Sequence, residues 1–180
     1  MEEITERFSG LSFALPALDS FLDIFEKIVA YATELRDCRI PEAEIDVTRQ
    51  FAGPFTCGGL LILLIEPRRR HPWHMGAHSV ILDCDTLNAL QEGIQIASNG
   101  ALSLINHVSV LDLRPFIWSK LKDNLEEDQL VKLYDLVIEA ICAKRPDTIL
   151  CMGNEPGNEL ERRRFKLPHT RFVPICRQRL

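Results

Sequence analysis

Nothing in this 180-residue chain is apolar for long enough to cross a bilayer. The dense stretch Leu60–Ile65 falls far short of the ~20 residues a membrane helix needs. The acidic opening, MEEITERFSG, has neither the basic nor the apolar region of a secretory signal. The six cysteines (Cys38, Cys57, Cys84, Cys142, Cys151, Cys176) include no C-x-x-C pair, and several sit inside apolar patterns. Free cysteine behaves there as a small hydrophobe, so reduced, mostly buried thiols are expected. An intracellular protein of nucleus or cytoplasm, without a membrane partner, follows from these absences. Glycine-rich phosphate cradles of the G-x-x-x-x-G-K-[ST] and G-x-G-x-x-G types are missing, as is a G-x-S-x-G nucleophile elbow. There is also no internal repeat and no low-complexity tract.

What is present is ordinary globular composition, 46% hydrophobic and 26% charged, with a net charge of −5. The length suits one domain with a sizeable core. Residues 1–57 read as an N-terminal helix and a connecting segment, and residues 58–180 as a sheet core with a basic C-terminal tail. From Glu155 onward seven Lys/Arg face three Glu, so the tail carries +4 and the body −9. That asymmetry permits weak, salt-dependent contact with DNA and argues against indiscriminate coating of nucleic acid.

Hydrophobic spacing divides the chain into elements. Pro16 opens a helix in which Leu18, Phe21, Leu22, Phe25, Ile28, Val29, Ala32 and Leu35 recur at helical spacing. RIPEAEIDVTRQFAGPFTCGG reads as a connection punctuated by Pro and Gly. Leu60–Ile65 is a continuous apolar strand of the kind buried on both faces of a parallel sheet. HSVILD, residues 78–83, reads as a second strand, with Asp85 as the N-cap of the helix after it. HVSVLDL is a third strand, halted by Arg114-Pro115. Asn124 is expected to cap a helix whose stripe is Leu130, Leu133, Tyr134, Val137, Ile138 and Ile141. DTILCMGN, ending in Gly153, reads as the last strong strand. Strands alternating with amphipathic helices predict a three-layer α/β/α fold with a short, mostly parallel, four-stranded central sheet.

In such sheets ligands bind beyond the carboxyl ends of the strands. Glu66, Asp112, Gly153 and the His169 loop are therefore the informative positions, and the first strand runs straight into Arg68, Arg69, Arg70, His71, His74 and His78. Three histidines at H-x2-H-x3-H invite a zinc reading. Pro72 and Gly76 break the regular geometry that would align the rings, so no metal is expected. Two acids and a histidine over one sheet edge suit water activation and stabilisation of a cationic transition state. The competing reading of Glu66 is an ion pair with a neighbouring arginine.

From about Leu60 to Phe172 the chain resembles the uracil-DNA glycosylase superfamily. LIEPR stands where that family has G-x-[DN]-P-G, keeping the proline and placing Glu66 at the acid position. VSVLDLRP puts Asp112 where the family commonly has a base-reading asparagine. RPDTILCMG matches the later strand, and PHTRF, with His169 and Thr170, stands for the final H-P-S loop. The resemblance implies hydrolysis of the N-glycosidic bond of an extruded base, without a cofactor. It makes Glu66 and His169 the catalytic pair. Trp73 or Phe55 would stack on the base, Asp112 would read it, and Thr170 and Arg171 would hold a flanking phosphate. Ionised Asp112 would offer acceptors only, which favours a base with two adjacent donors over uracil. Two alternatives stand beside this one: a catalytically silent module of the same fold binding nucleic acid or protein, and a metal-assisted hydrolase on the His71–His78 loop.

Overall fold

The computed structural model describes residues 16–55 and 57–175. Helix α1 spans Pro16–Arg36 and α2 spans Glu42–Ala52. Strand β1, Leu60–Leu64, is followed by a short 3-10 turn, Trp73–Met75, and by helices α3 (Ala77–Asp83), α4 (Asp85–Ala97) and α5 (Leu104–His107). Strand β2 is Ser109–Asp112, α6 is Ser119–Lys122 and α7 is Glu127–Lys144. Strand β3, Thr148–Met152, leads to α8 (Asn154–Arg162), a 3-10 turn at Arg164–Lys166, and β4 (Arg171–Ile175).

The four strands form one all-parallel sheet in the order β2-β1-β3-β4. Alternation along the central strand sorts the core into two sides. Leu61 and Leu63 face Phe21, Phe25 and Ile28 of α1 and Leu133, Val137 and Ile138 of α7. Ile62 faces Val47 and Phe51 of α2, Val80 and Ile81 of α3, and Leu87 of α4. Helices thus cover both faces, which is why β1 is apolar without interruption.

Several elements differ from the sequence expectation. Residues 78–83 are helical and lie in α3, where Val80 and Ile81 face the sheet instead of joining it. The fourth strand is instead the tail, Arg171–Ile175, paired with β3. A short run such as HSVILD satisfies either period, and packing on the sheet decides it. The expected connection after α1 contains helix α2, because Val47 and Phe51 fall four residues apart and bury together. Asp85 is the first residue of α4, whose N-cap is Cys84. Asn124 bonds the Lys120 carbonyl, and α7 is capped by Glu126 and Gln129 in a reciprocal capping box. Among the described residues no helix is long and apolar enough to span a membrane.

Candidate functional site

The carboxyl ends of β1, β2 and β3 open on a pocket of about 380 Å³. Its apolar wall includes Phe51, Leu64, Val80, Leu87, Val110 and Met152, and its polar lining includes Thr48, Glu66, Arg68, His71, Thr86 and Asp112. Gly153 closes one side in a left-handed conformation at φ +105°, and a Cβ there would lie 3.1 Å from Ile65 Cδ1. Only glycine lets β3 turn into α8 so close to the end of β1.

Backbone pairing runs past the strands proper and sets the site. Leu113 N–H bonds the Leu64 carbonyl at 2.9 Å, and Arg114 N–H bonds the Ile65 carbonyl at 3.0 Å. Glu66 and Arg114 therefore leave adjacent strand ends side by side. The Arg114 guanidinium, only 4% exposed, donates to Glu66 Oε2 at 2.7 Å through one amine and at 3.2 Å through Nε. Its other amine donates to the Tyr134 hydroxyl at 3.2 Å and pairs with Glu155. Tyr134 in turn donates to Glu155 at 3.0 Å. The Ser119 hydroxyl takes the remaining oxygen of Glu66, Oε1. Both oxygens of Glu66 are thus engaged by donors.

Asp112 has the opposite environment. Its Oδ1 is buried and has no hydrogen-bond partner. Burial, reinforced by the fixed negative charge of Glu66 and only partly opposed by Arg114, pushes its carboxyl up to about 7. Desolvation penalises the charged form, and a like charge nearby adds to the penalty. Near neutral pH this group exists in comparable amounts of acid and anion. The acid form offers one donor and one acceptor. The acceptors-only edge expected of ionised Asp112 therefore belongs to the anion alone.

His71 is buried, and its Nδ1 lies 3.2 Å from Asp83 Oδ2. Burial lowers its pKa below the usual histidine value, with the Asp83 contact partly offsetting this. Trp73 stands edge-on to it at 5.0 Å and lines the pocket. His74 and His78 are exposed on the 3-10 turn and on α3. Among the described residues no group of three or more His, Cys, Asp or Glu is arranged to hold a metal ion.

No protein-family model, no curated protein and no solved structure matches this chain.

Of the residues singled out from sequence, Glu66, Asp112 and Trp73 meet in the pocket. His169, Thr170 and Arg171 do not. Arg171 pairs with Thr148 at the start of β3, and the Thr170 hydroxyl donates to the Pro146 carbonyl at 3.0 Å. All three lie at the amino edge of the sheet, opposite the pocket. The expected convergence of Glu66, Asp112 and His169 therefore fails: the tail is a strand, so His169 precedes it and does not follow a strand end. Phe55 is also elsewhere, packed on Phe21 at 5.7 Å beside the buried Lys144 ammonium, which bonds the Ala52 and Pro54 carbonyls.

Sequence reasoning takes Arg114 as a strand stop and, in the competing view of Asp112, as its ion-pair partner; the guanidinium instead pairs with Glu66 and Glu155. Its signal was an arginine directly after a buried strand and directly before a proline. Thr48, Phe51 and Thr86 reach the pocket from α2 and α4, and no local pattern marks them.

Proposed function

We propose that the protein binds a base-like heterocycle in the strand-end pocket and hydrolyses an N-glycosidic bond there, as a divergent relative of the uracil-DNA glycosylase superfamily. The observation that carries this reading is Asp112: a residue of the pocket lining whose Oδ1 is buried without a hydrogen-bond partner, beside the Glu66 carboxylate that pairs with Arg114. A buried polar atom without a partner costs ~1–3 kcal/mol, and a ligand that supplies the partner recovers it. A carboxyl whose burial raises its pKa to about 7, beside a second carboxylate engaged by an arginine, suits an acid acting next to a fixed acceptor of charge.

As a glycosidic bond breaks, the sugar gains positive charge and the departing base gains negative charge. Asp112 in its acid form donates to the departing base, the role that the motif resemblance gave to His169. Glu66, its oxygens engaged by Arg114 and Ser119, contributes negative charge toward the sugar. The C1′–N bond breaks, the base takes the Asp112 proton, water adds to the sugar carbon, and the water's proton returns to the Asp112 carboxylate. The acid form of Asp112 complements a heterocycle edge with N–H beside a carbonyl, as in uracil. The anion complements two adjacent donors, as in guanine. Base preference therefore changes with pH.

The test is release of free base from single strands carrying uracil, hypoxanthine or guanine between pH 5 and 9. Release from the uracil strand is expected to fall above about pH 7 as the acid form is lost. Asp112→Asn, which keeps the donor and acceptor but cannot give up a proton, is expected to bind and to release little. A second reading, base binding without hydrolysis, is favoured by the engagement of both Glu66 oxygens. Saturable binding with no abasic product at any pH would select it.

A further inference from the structure

The ring of His71 is built into the pocket wall, with only 4% of its side chain exposed. Its backbone N–H bonds the Arg68 carbonyl at 3.5 Å, and its own carbonyl takes the Trp73 N–H at 2.8 Å. Trp73 then stands edge-on to the imidazole at 5.0 Å. Nδ1 lies 3.2 Å from Oδ2 of Asp83, the last residue of α3. A carboxylate can only accept, so Asp83 fixes the proton of the neutral ring on Nδ1 and leaves a lone pair on Nε2.

Among the described residues no group bonds Nε2, and the buried side-chain nitrogens and oxygens without a partner are Arg36 Nε and Asp112 Oδ1. Nε2 therefore keeps open surface on the pocket that the ring lines. Asp83 and Arg68 act on the charge of the ring, and Glu66 and Asp112 share its pocket. Burial, the largest effect, favours the neutral imidazole and outweighs Asp83; Arg68 adds to burial. Near neutral pH the pocket thus holds an unprotonated nitrogen base as well as the acid form of Asp112. Hydrolysis has a use for both. A departing base and an incoming water on opposite faces of the sugar carbon cannot be served by one carboxyl. Asp112 is committed to the base, and both Glu66 oxygens hold donors.

We propose that His71 is the general base of this pocket, that its Nε2 takes the proton of the attacking water, and that Asp83 is the residue that positions it. This rests on the hydrolytic reading above and adds to it the path of one proton. As a lone pair of the water forms the C–O bond to the sugar carbon, an O–H bond breaks and its proton passes to Nε2. Asp83 stabilises the imidazolium so formed. After the products leave, the imidazolium returns the proton to the Asp112 carboxylate through pocket water, which restores both groups.

Base release from the uracil, hypoxanthine and guanine strands, followed across the same pH range, tests it. A bell-shaped profile is expected, its alkaline limb set by Asp112 and its acid limb by His71. His71→Gln keeps much of the bulk and lowers kcat by about a hundredfold or more, the range of one acid–base group, with KM little changed. Imidazole added to His71→Ala restores release in a saturable way. Asp83→Asn removes the charge that favours the imidazolium, so its acid limb moves to lower pH. Asp83 is half exposed and the exchange is isosteric, so this variant folds whatever becomes of the His71 variants. NMR of the labelled imidazole nitrogens in the wild type reads the tautomer directly, with the proton of the neutral ring expected on Nδ1. A proton on Nε2 overturns the inference, as does a His71→Gln loss below about threefold. So does a loss that imidazole does not restore while the Asp83→Asn acid limb stays in place. In each of these cases release by the wild type leaves the hydrolytic reading intact. No release from any strand by the wild type overturns both.

Discussion

Replacing Asp112 by asparagine separates the charge of this carboxyl from its shape. Its pKa stands at about 7 in the folded protein against 3.8 for the free side chain. Between those values the folded state holds a proton that the unfolded state has released, so stability falls as pH rises through that window. At ~1.4 kcal/mol for each pH unit between the two values, the cost grows to about 4 kcal/mol above pH 7 and vanishes in strong acid. Asparagine keeps the size and the hydrogen-bonding pattern and never ionises. Urea unfolding of the wild type and Asp112→Asn at a series of pH values measures the effect, and the difference between the two cancels the titrating groups that do not interact with Asp112. The variant is expected to be the more stable protein at pH 8, and the gap should widen by about 2–3 kcal/mol between pH 5 and pH 8. Parallel curves would refute the reasoning, since they would mean that Asp112 has an ordinary carboxylate pKa in the folded state. Its assignment as the acid of the site would fall with them.

Arg114→Leu should destabilise the protein by about 3 kcal/mol at neutral pH, because the partly buried Glu66 and Glu155 lose the buried guanidinium they share. Combining it with Glu66→Gln should recover part of that loss in denaturant unfolding; a single-variant loss under about 1 kcal/mol, within the range of surface pairs, would refute the hub. Gly153→Ala should cost about 1–3 kcal/mol, from φ +105° and a methyl 3.1 Å from Ile65 Cδ1. An unchanged thermal midpoint would show that the turn relaxes freely.

Periodicity made much of the architecture legible. The α1 face of Phe21, Phe25, Ile28 and Ala32 and the α7 stripe from Leu133 to Ile141 are buried against one side of the sheet, as their spacing requires. The strands after Gly59, before Arg114 and before Gly153 were visible because a parallel strand covered on both faces is apolar throughout. From that alone, Glu66, Asp112 and Gly153 could be placed at strand ends, and all three line the pocket. The weak places were short segments whose composition suits two periods. HSVILD became helix α3, and the RFVPI tail became a strand, because the sheet had room for one and the β1 face needed covering by the other.

The amino-acid sequence by itself thus determined the layer class, the polarity of three strands and two acids at one edge of the sheet, since all of these follow from local patterns of apolar and polar residues. Tertiary structure alone decided which charges meet. Arg114 lies 48 positions from Glu66 and 41 from Glu155, yet it binds both, because parallel pairing sets two strand ends together and α8 begins beside them. That contact fixes the Glu66 carboxylate beside Asp112, whose carboxyl is raised first by burial and then by this neighbouring charge. His169 went to the far edge for the same reason in reverse: once the tail pairs with β3, everything before it belongs to the amino side. A carboxyl's role depends on its dielectric surroundings and its neighbours' charges, and both come into being only when distant segments pack.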